Sequence, residues 1–130
     1  MSGADIHNIC NEGAILAAWD NLKSVGLIQF EWAVERVIGG LEKKTPITPQ
    51  EKKTIAYHEV GHALVAKMLM HTDPVHKISI ISRGRALGVT WFLPDNDKAL
   101  ESKAHFLDEL AASLGGRAAE ELIFGKDYIT

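Results

Sequence analysis

YHEVGHALVA, residues 57–66, is the stretch from which the rest of the chain is read. His58, Glu59 and His62 form an H-E-x-x-H pattern, with the two histidines four residues apart. On a helix of about 3.6 residues per turn that spacing stacks both imidazoles on one face, where they can share one zinc ion. Glu59 stands one step round from His58, within reach of a water on that ion. Zinc lowers the pKa of such a water towards neutrality, and a nearby carboxylate can take its proton as it attacks a carbonyl. The pattern thus predicts His58 and His62 as metal ligands, Glu59 as the catalytic base, and hydrolysis. The plainer alternative is an amphipathic helix whose histidines only pack in a core. The neighbours argue against it: the segment lacks proline and is flanked by Ala, Val, Leu and Tyr. Two imidazoles and a carboxylate in such surroundings are costly to bury without a partner.

Working outward, Thr48-Pro49-Gln50-Glu51 predicts a helix start, with Thr as N-cap, Pro at the first position and Glu at the third. The helix should carry the motif about two turns in and run to about Met70, closed by His71, Asp73 and Pro74. His71 at that end reads as a complement to the helix dipole or an exposed residue, not a ligand. Val75–Ser82 and Val89–Leu93 are rich in β-branched and aromatic residues and predict a hairpin with a glycine-containing loop. His76 reads as a half-exposed strand residue. Arg83 and Arg85 fit either a solvated loop or a contact with an anionic partner. After Pro94 and the polar DNDK, Ser102 is a plausible N-cap for a helix to Phe124, with Gly125 as its stop. Leu107, Leu110, Ala111, Leu114, Ala118 and Leu122 keep one helical phase across Gly115-Gly116, so the helix should continue through them, the alternative being a break at Gly115. Two interior glycines cost about 2 kcal/mol relative to alanines, which points to close backbone approach, with the motif helix as the neighbour.

In the other direction, LEKKTPITP has the charge and two prolines of a linker, which sets a boundary between residues 1–44 and 45–130. Ser2 and Asp5 make a capping-box-like start for a helix to Trp19, with Ile6, Ile9, Cys10, Gly13, Leu16 and Ala17 as its buried stripe. A second helix follows, in which Phe30, Ala33, Val34, Val37, Ile38 and Leu41 recur at helical spacing. Glu31, Glu35 and Arg36 are expected to face out, and Gly39-Gly40 ends the helix. Two such helices cannot fully bury their stripes against each other and read as part of a helical subdomain.

Composition narrows the classes. With 130 residues, 46% of them hydrophobic, the chain can bury a real core. A formal charge of −3 predicts no general affinity for nucleic acid. The single cysteine, Cys10, excludes an internal disulfide and a cysteine zinc site, fits a reducing compartment, and is expected to be a small core residue. No apolar run approaches a bilayer span and no signal peptide is visible, so membrane attachment is expected outside these residues.

A catalytic zinc needs a third protein ligand. Glu120, Glu121, Asp108, Asp127 and His105 are all candidates. Glu120 or Glu121 could instead pair with Arg117 or hold a metal-bound histidine from behind. The longer H-E-x-x-H-x-x-G-x-x-H arrangement is absent, since Val65 and Met68 stand where it needs Gly and His.

SGADIHNICNEGAILAA, FEWAVERVIGGLEKKT, TPQEKKTIAYHEVGHALVA, DPVHKISIISRGRALGVTWFLP and LGGRAAEELIFG, in that order, resemble successive parts of the FtsH-type AAA metalloproteases. The resemblance covers the whole chain and implies a mainly helical α+β fold. It implies the end of an AAA helical lid over 1–44. Over 45–130 it implies the start of a zincin-like peptidase domain, with a β-hairpin between two long helices. It also implies an ATP-dependent zinc endopeptidase, working as a homo- or hetero-hexamer on unfolded or membrane proteins. Such a protein is held at a membrane by segments outside this chain, facing the cytoplasm or an organelle interior. His58 and His62 match the family's zinc ligands, Glu59 its base, and Gly88–Leu93 the edge strand on which an extended substrate lies. Ser2–Asp5 resembles the stretch that approaches bound nucleotide. There is no P-loop, so ATP would bind a module not included here, and no residue of this chain is assigned to it. The family's third ligand, an Asp, is expected just past Thr130. Trp19, Trp91 and Gly13 stand where the family often has other residues. The alternative class is a non-catalytic helical assembly module of an AAA ring with structural histidines.

Overall fold

Of the four α-helices among the described residues, three begin on a side-chain oxygen that satisfies first-turn N–H groups otherwise left unpaired. The computed structural model describes residues 1–44, 46–84, 86–94 and 100–130. Its helices are α1 (Gly3–Trp19), α2 (Leu27–Gly39), α3 (Pro49–Met68) and α4 (Lys103–Phe124). Strands β1 (Val75–Ser79) and β2 (Val89–Phe92) lie between α3 and α4, and a short 3-10 turn covers Lys126–Tyr128. At α1 the Asp5 N–H donates to Ser2 Oγ at 3.3 Å, and the Ser2 N–H to Asp5 Oδ2 at 2.7 Å. Thr48 and Glu51 repeat this box at 3.2 and 2.7 Å, with Pro49 at the first helical position of α3. The Ser2 N–H above all holds the Asp5 carboxyl below its ordinary range, as the Thr48 hydroxyl does for Glu51. α4 opens with the His105 N–H on Ser102 Oγ at 3.1 Å and closes at Gly125, whose φ of +90° suits glycine.

The chain forms two compact units, Met1–Lys44 with Ser82–Arg85, and Thr45–Ile81 with Ala86–Thr130. In the first, α1 buries Ile9, Gly13 and Ala17, and α2 buries Gln29, Ala33 and Glu35. Ile6 and Cys10, expected inside, are exposed, because the contact stripe on α1 is only the narrow line of Ile9, Gly13 and Ala17. Glu35, expected outside, is buried because the Arg83 guanidinium reaches it at 3.0 Å. Arg36 is half-buried against Glu12 at 3.2 Å. Arg83 is therefore an internal partner and not a solvated loop residue, whereas Arg85 lies outside the described residues. Ser82 and Arg83 belong to this unit through the Lys43 N–H on Ser82 O at 2.9 Å and an isolated bridge between Glu42 and Arg83.

In the second unit α4 packs along α3, and the antiparallel hairpin rests on α3. Ser79 pairs with Val89, Ile78 with Thr90 and Lys77 with Trp91, while an irregularity at His76 brings Val75 opposite Phe92. β1 stops at Ser79, short of Ser82, where Ser79 Oγ accepts the Ile81 N–H at 3.3 Å and turns the chain. α3 stops at Met68, where the Ala66 carbonyl accepts both the Leu69 N–H at 3.2 Å and the Thr72 Oγ1 hydroxyl at 2.8 Å. Pro94 precedes Asp95–Lys98, which lie outside the described residues.

The buried face of α4 is His105, Ala112, Gly115, Gly116 and Glu120, and that of α3 is Glu59, Gly61, Ala63 and Ala66. Leu107, Leu110, Leu114 and Leu122, which share one phase, are all exposed. Small residues line the contact because the two backbones nearly touch. A methyl on Gly115 would stand 2.5 Å from Gly61 O and 2.9 Å from Gly61 C. No helix among the described residues is long and apolar enough to cross a membrane.

Candidate active site

α3 delivers His58 and His62 one turn apart, with ring centroids 4.6 Å apart and ring planes at 80°. Each imidazole is gripped at Nδ1 by α4. His58 Nδ1 lies 2.5 Å from Glu120 Oε1, and His62 Nδ1 lies 2.8 Å from the Ala112 carbonyl oxygen. A carbonyl can only accept, so His62 carries its proton on Nδ1. The Gly116 N–H, 3.3 Å from the same nitrogen, makes the longer contact. With a proton on Nδ1 of each ring, both Nε2 atoms present lone pairs. Those two atoms turn to one place: a methyl on Gly116 would lie 2.6 Å from Nε2 of both His58 and His62. Glycine at 116 keeps that space open.

Glu120 is fully buried. Burial pushes its carboxyl up, but the Thr130 N–H, His58 and the Thr130 hydroxyl together hold it below its ordinary range. The Thr130 N–H donates to Oε2 at 2.7 Å and the Thr130 hydroxyl to Oε1 at 3.0 Å. Glu120 therefore backs His58 from the side away from its Nε2. Glu121 pairs with Lys126 at 3.6 Å. Asp108 takes both the His71 side chain, at 2.9 Å, and the His71 N–H, at 3.1 Å. The His71 side chain above all keeps the Asp108 carboxyl low. His105 is buried with Nδ1 2.6 Å from His71 O, a bond that raises its pKa against the effect of burial. Asp127 lies in the exposed turn after α4. Among the described residues no group of three His, Cys, Asp or Glu side chains comes together to hold a metal.

Glu59 is 8% exposed and faces the hairpin. Thr90 Oγ1 on β2 lies 2.8 Å from Glu59 Oε2 and 2.9 Å from the Glu59 carbonyl oxygen. Gly88 sits against the same side chain: a methyl there would lie 2.8 Å from Glu59 Cγ and Oε1. Glu59 borders two hollows. One, of about 460 Å³, is walled by His58 and the apolar Ile47, Ile55 and Leu87. The other, of about 270 Å³, is walled by His62, Thr90, Phe92 and Ala112. The motif gave His58, Glu59 and His62, and the Gly115-Gly116 pair pointed to a close approach to the motif helix, but the contacts of Thr90 and Gly88 with Glu59 carried no signal in the sequence.

The donor set suits zinc: two imidazoles, each with Nδ1 hydrogen-bonded and Nε2 brought to the same place beside Gly116. The chain matches the model of peptidase family M41 over residues 45–130. It is 50% identical over 127 residues to the mitochondrial inner membrane m-AAA protease component AFG3L2 of Mus musculus, covering 97% of this chain and 16% of that protein. It is 47% identical over 134 residues to the ATP-dependent zinc metalloprotease FtsH 3 of Synechocystis sp. (strain ATCC 27184 / PCC 6803 / Kazusa), covering 100% of this chain and 22% of that protein. Against the mitochondrial inner membrane m-AAA protease component yta12 of Schizosaccharomyces pombe the identity is 47% over 131 residues, again covering 100% of this chain but 17% of the relative. The chain thus spans less than a quarter of the length of these relatives. It belongs to peptidase family M41, the FtsH-type proteases.

Proposed function

We propose that the chain carries part of the catalytic centre of a zinc endopeptidase, with His58 and His62 as metal ligands through Nε2 and Glu59 as general base. The observation that carries this reading is the pairing of two Nδ1-anchored imidazoles whose Nε2 atoms both come against Gly116. Zinc, when bound there, supplies Lewis-acid activation of water and of the scissile carbonyl. His58 is oriented by Glu120 and His62 by the Ala112 carbonyl, so neither ring must reorganise to present Nε2. Glu59 takes a proton from the attacking water on its carboxylate and passes it to the leaving amine. Its place between two hollows leaves room on either side for a peptide. β2 offers main-chain groups on which an extended substrate can lie with little sequence selectivity, as a degradative enzyme needs. A third protein ligand, expected to be an Asp, would complete the site.

On this reading residues 1–44 are the end of an AAA helical lid and 45–130 the start of the peptidase domain. The whole protein then couples ATP hydrolysis in a separate module to degradation of unfolded or membrane proteins. It works as a homo- or hetero-hexamer at a membrane, facing the cytoplasm or an organelle interior. The test is Glu59→Gln in the zinc-loaded holoenzyme. Casein cleavage should fall by about 100- to 10,000-fold, the range of a lost general base, with zinc content unchanged. Cleavage at the original rate would remove Glu59 from the chemistry, and absence of zinc would favour a structural role for the histidines.

A further inference from the structure

Glu59 is a buried carboxylate on a helix, and a helix alone does not fix where the end of a long side chain sits. Three rotatable bonds separate the Glu59 backbone from its oxygens, and ordering them carries an entropic cost. What holds them is β2. Gly88 immediately precedes β2 and Thr90 lies on it, and both come against the Glu59 side chain. Gly88 lies against Glu59 Cγ and Oε1 so closely that a methyl would stand 2.8 Å from each. Thr90 Oγ1 reaches Oε2 at 2.8 Å and the Glu59 main-chain oxygen at 2.9 Å. One hydroxyl proton serves both acceptors, so Thr90 ties the carboxylate to its own backbone as well as to the strand. The backbone of Thr90 is in turn fixed by its pairing with Ile78 in the hairpin.

From this geometry we infer that Thr90 is the positioning residue for Glu59, setting where the carboxylate stands relative to β2. The inference rests on the assignment of Glu59 as general base and extends it. Thr90 bonds the Glu59 carboxylate and acts through it. Because the strand that positions the base is also the strand proposed to hold substrate, Thr90 links the two distances that proton transfer needs.

The experiment compares Thr90→Val and Thr90→Ser, each alone and with Glu59→Gln, in the zinc-loaded holoenzyme. Readouts are kcat and KM on a fluorogenic peptide, zinc content and the thermal midpoint. Thr90→Val keeps the shape and removes the hydroxyl. It should lower kcat about 10- to 100-fold, the usual effect of losing a supporting partner, with KM within about threefold and zinc unchanged. Thr90→Ser restores the donor and should recover kcat to within about threefold of the parent. In the Glu59→Gln background Thr90→Val should cost nothing further, because the two residues act as a unit. Wild-type kcat in Thr90→Val, with Glu59→Gln inactive, overturns the role of Thr90 and leaves the base assignment standing. Equal losses in the Val and Ser variants, or a loss that tracks zinc content or the thermal midpoint, overturn it too. Activity retained by Glu59→Gln alone overturns the base assignment and the role of Thr90 with it.

Discussion

α1 presents Gly13 to its own unit and α3 presents Gly61 to α4, but the space around the two glycines is different. A methyl on Gly13 would meet Val25 Cγ1 at 3.3 Å and Phe30 Cδ1 at 3.4 Å, both side-chain atoms that can give. A methyl on Gly61 would collide with the Gly115 carbonyl oxygen, and would lie 2.9 Å from the carbonyl carbon and 2.7 Å from Ala119 Cβ. Backbone cannot step aside as a side chain can. In α1 and α2 the small residue is one packing choice among several. In α3 and α4 it sets the distance between two helices, and that distance brings Glu120 and Ala112 to the histidines.

Gly61→Ala is the hardest test of this difference. Adding a methyl where nothing can move costs about 1–3 kcal/mol or more, and the better helix propensity of alanine returns about 1 kcal/mol. With backbone on the far side the upper end of that range applies, and the expected outcome is a net loss of up to about 2 kcal/mol in the second unit, seen as a lower urea midpoint and faster amide exchange along α3 and α4. An unchanged midpoint would mean that the helices can part without cost, and the contrast with α1 would vanish.

Gly116→Ala probes the same pair one residue along, where the obstacle is imidazole and not backbone. A methyl 2.6 Å from both Nε2 atoms must push one or both rings off their Nδ1 anchors. Zinc affinity should fall on the order of 10- to 100-fold, as it does when a supporting group is lost, while far-UV circular dichroism keeps its helical signal. A chelator competition titration measures this. Parent-like affinity would show that the space above Gly116 is not where the metal sits.

These contacts explain what the sequence could and could not disclose. The helix starts were legible because a cap is local: Ser2 with Asp5, Thr48 with Glu51 and Ser102 each act within three residues. The continuity of α4 through Gly115-Gly116 was legible from the unbroken phase of its leucines. Their burial was not, because apolar periodicity marks a face without saying which neighbour covers it. On α4 the exposed stripe is the leucine one, and the inner stripe is small and polar. The burial of Glu35 is illegible for a related reason, since Arg83, 48 residues away, is what lets it be buried. Around the motif, His58, Glu59 and His62 follow from spacing within one helix. Glu120 stood among the possibilities for either role, as a ligand or as support behind a histidine, and only its bond to the His58 Nδ1 separates the two. The contacts of Thr90 and Gly88 with Glu59 could not be found, because a strand and its approach touching a helix side chain leave no pattern in one sequence.

Gly13→Ala should give the smallest effect and is the control for the other two. Replacing an interior helix glycine favours the folded helix by about 1 kcal/mol. Against this, Val25 and Phe30 must yield a few tenths of an ångström, which half-buried side chains at the edge of a small contact can do. The net change should lie between zero and about 1 kcal/mol of stabilisation, opposite in sign to Gly61→Ala although the chemical change is identical. Amide exchange in α1 and α2, measured separately from that in α3 and α4, resolves it. A loss as large as that at Gly61 would show that the first unit is as tightly spaced as the second. It would also show that side chains in a thin core resist displacement as firmly as backbone does.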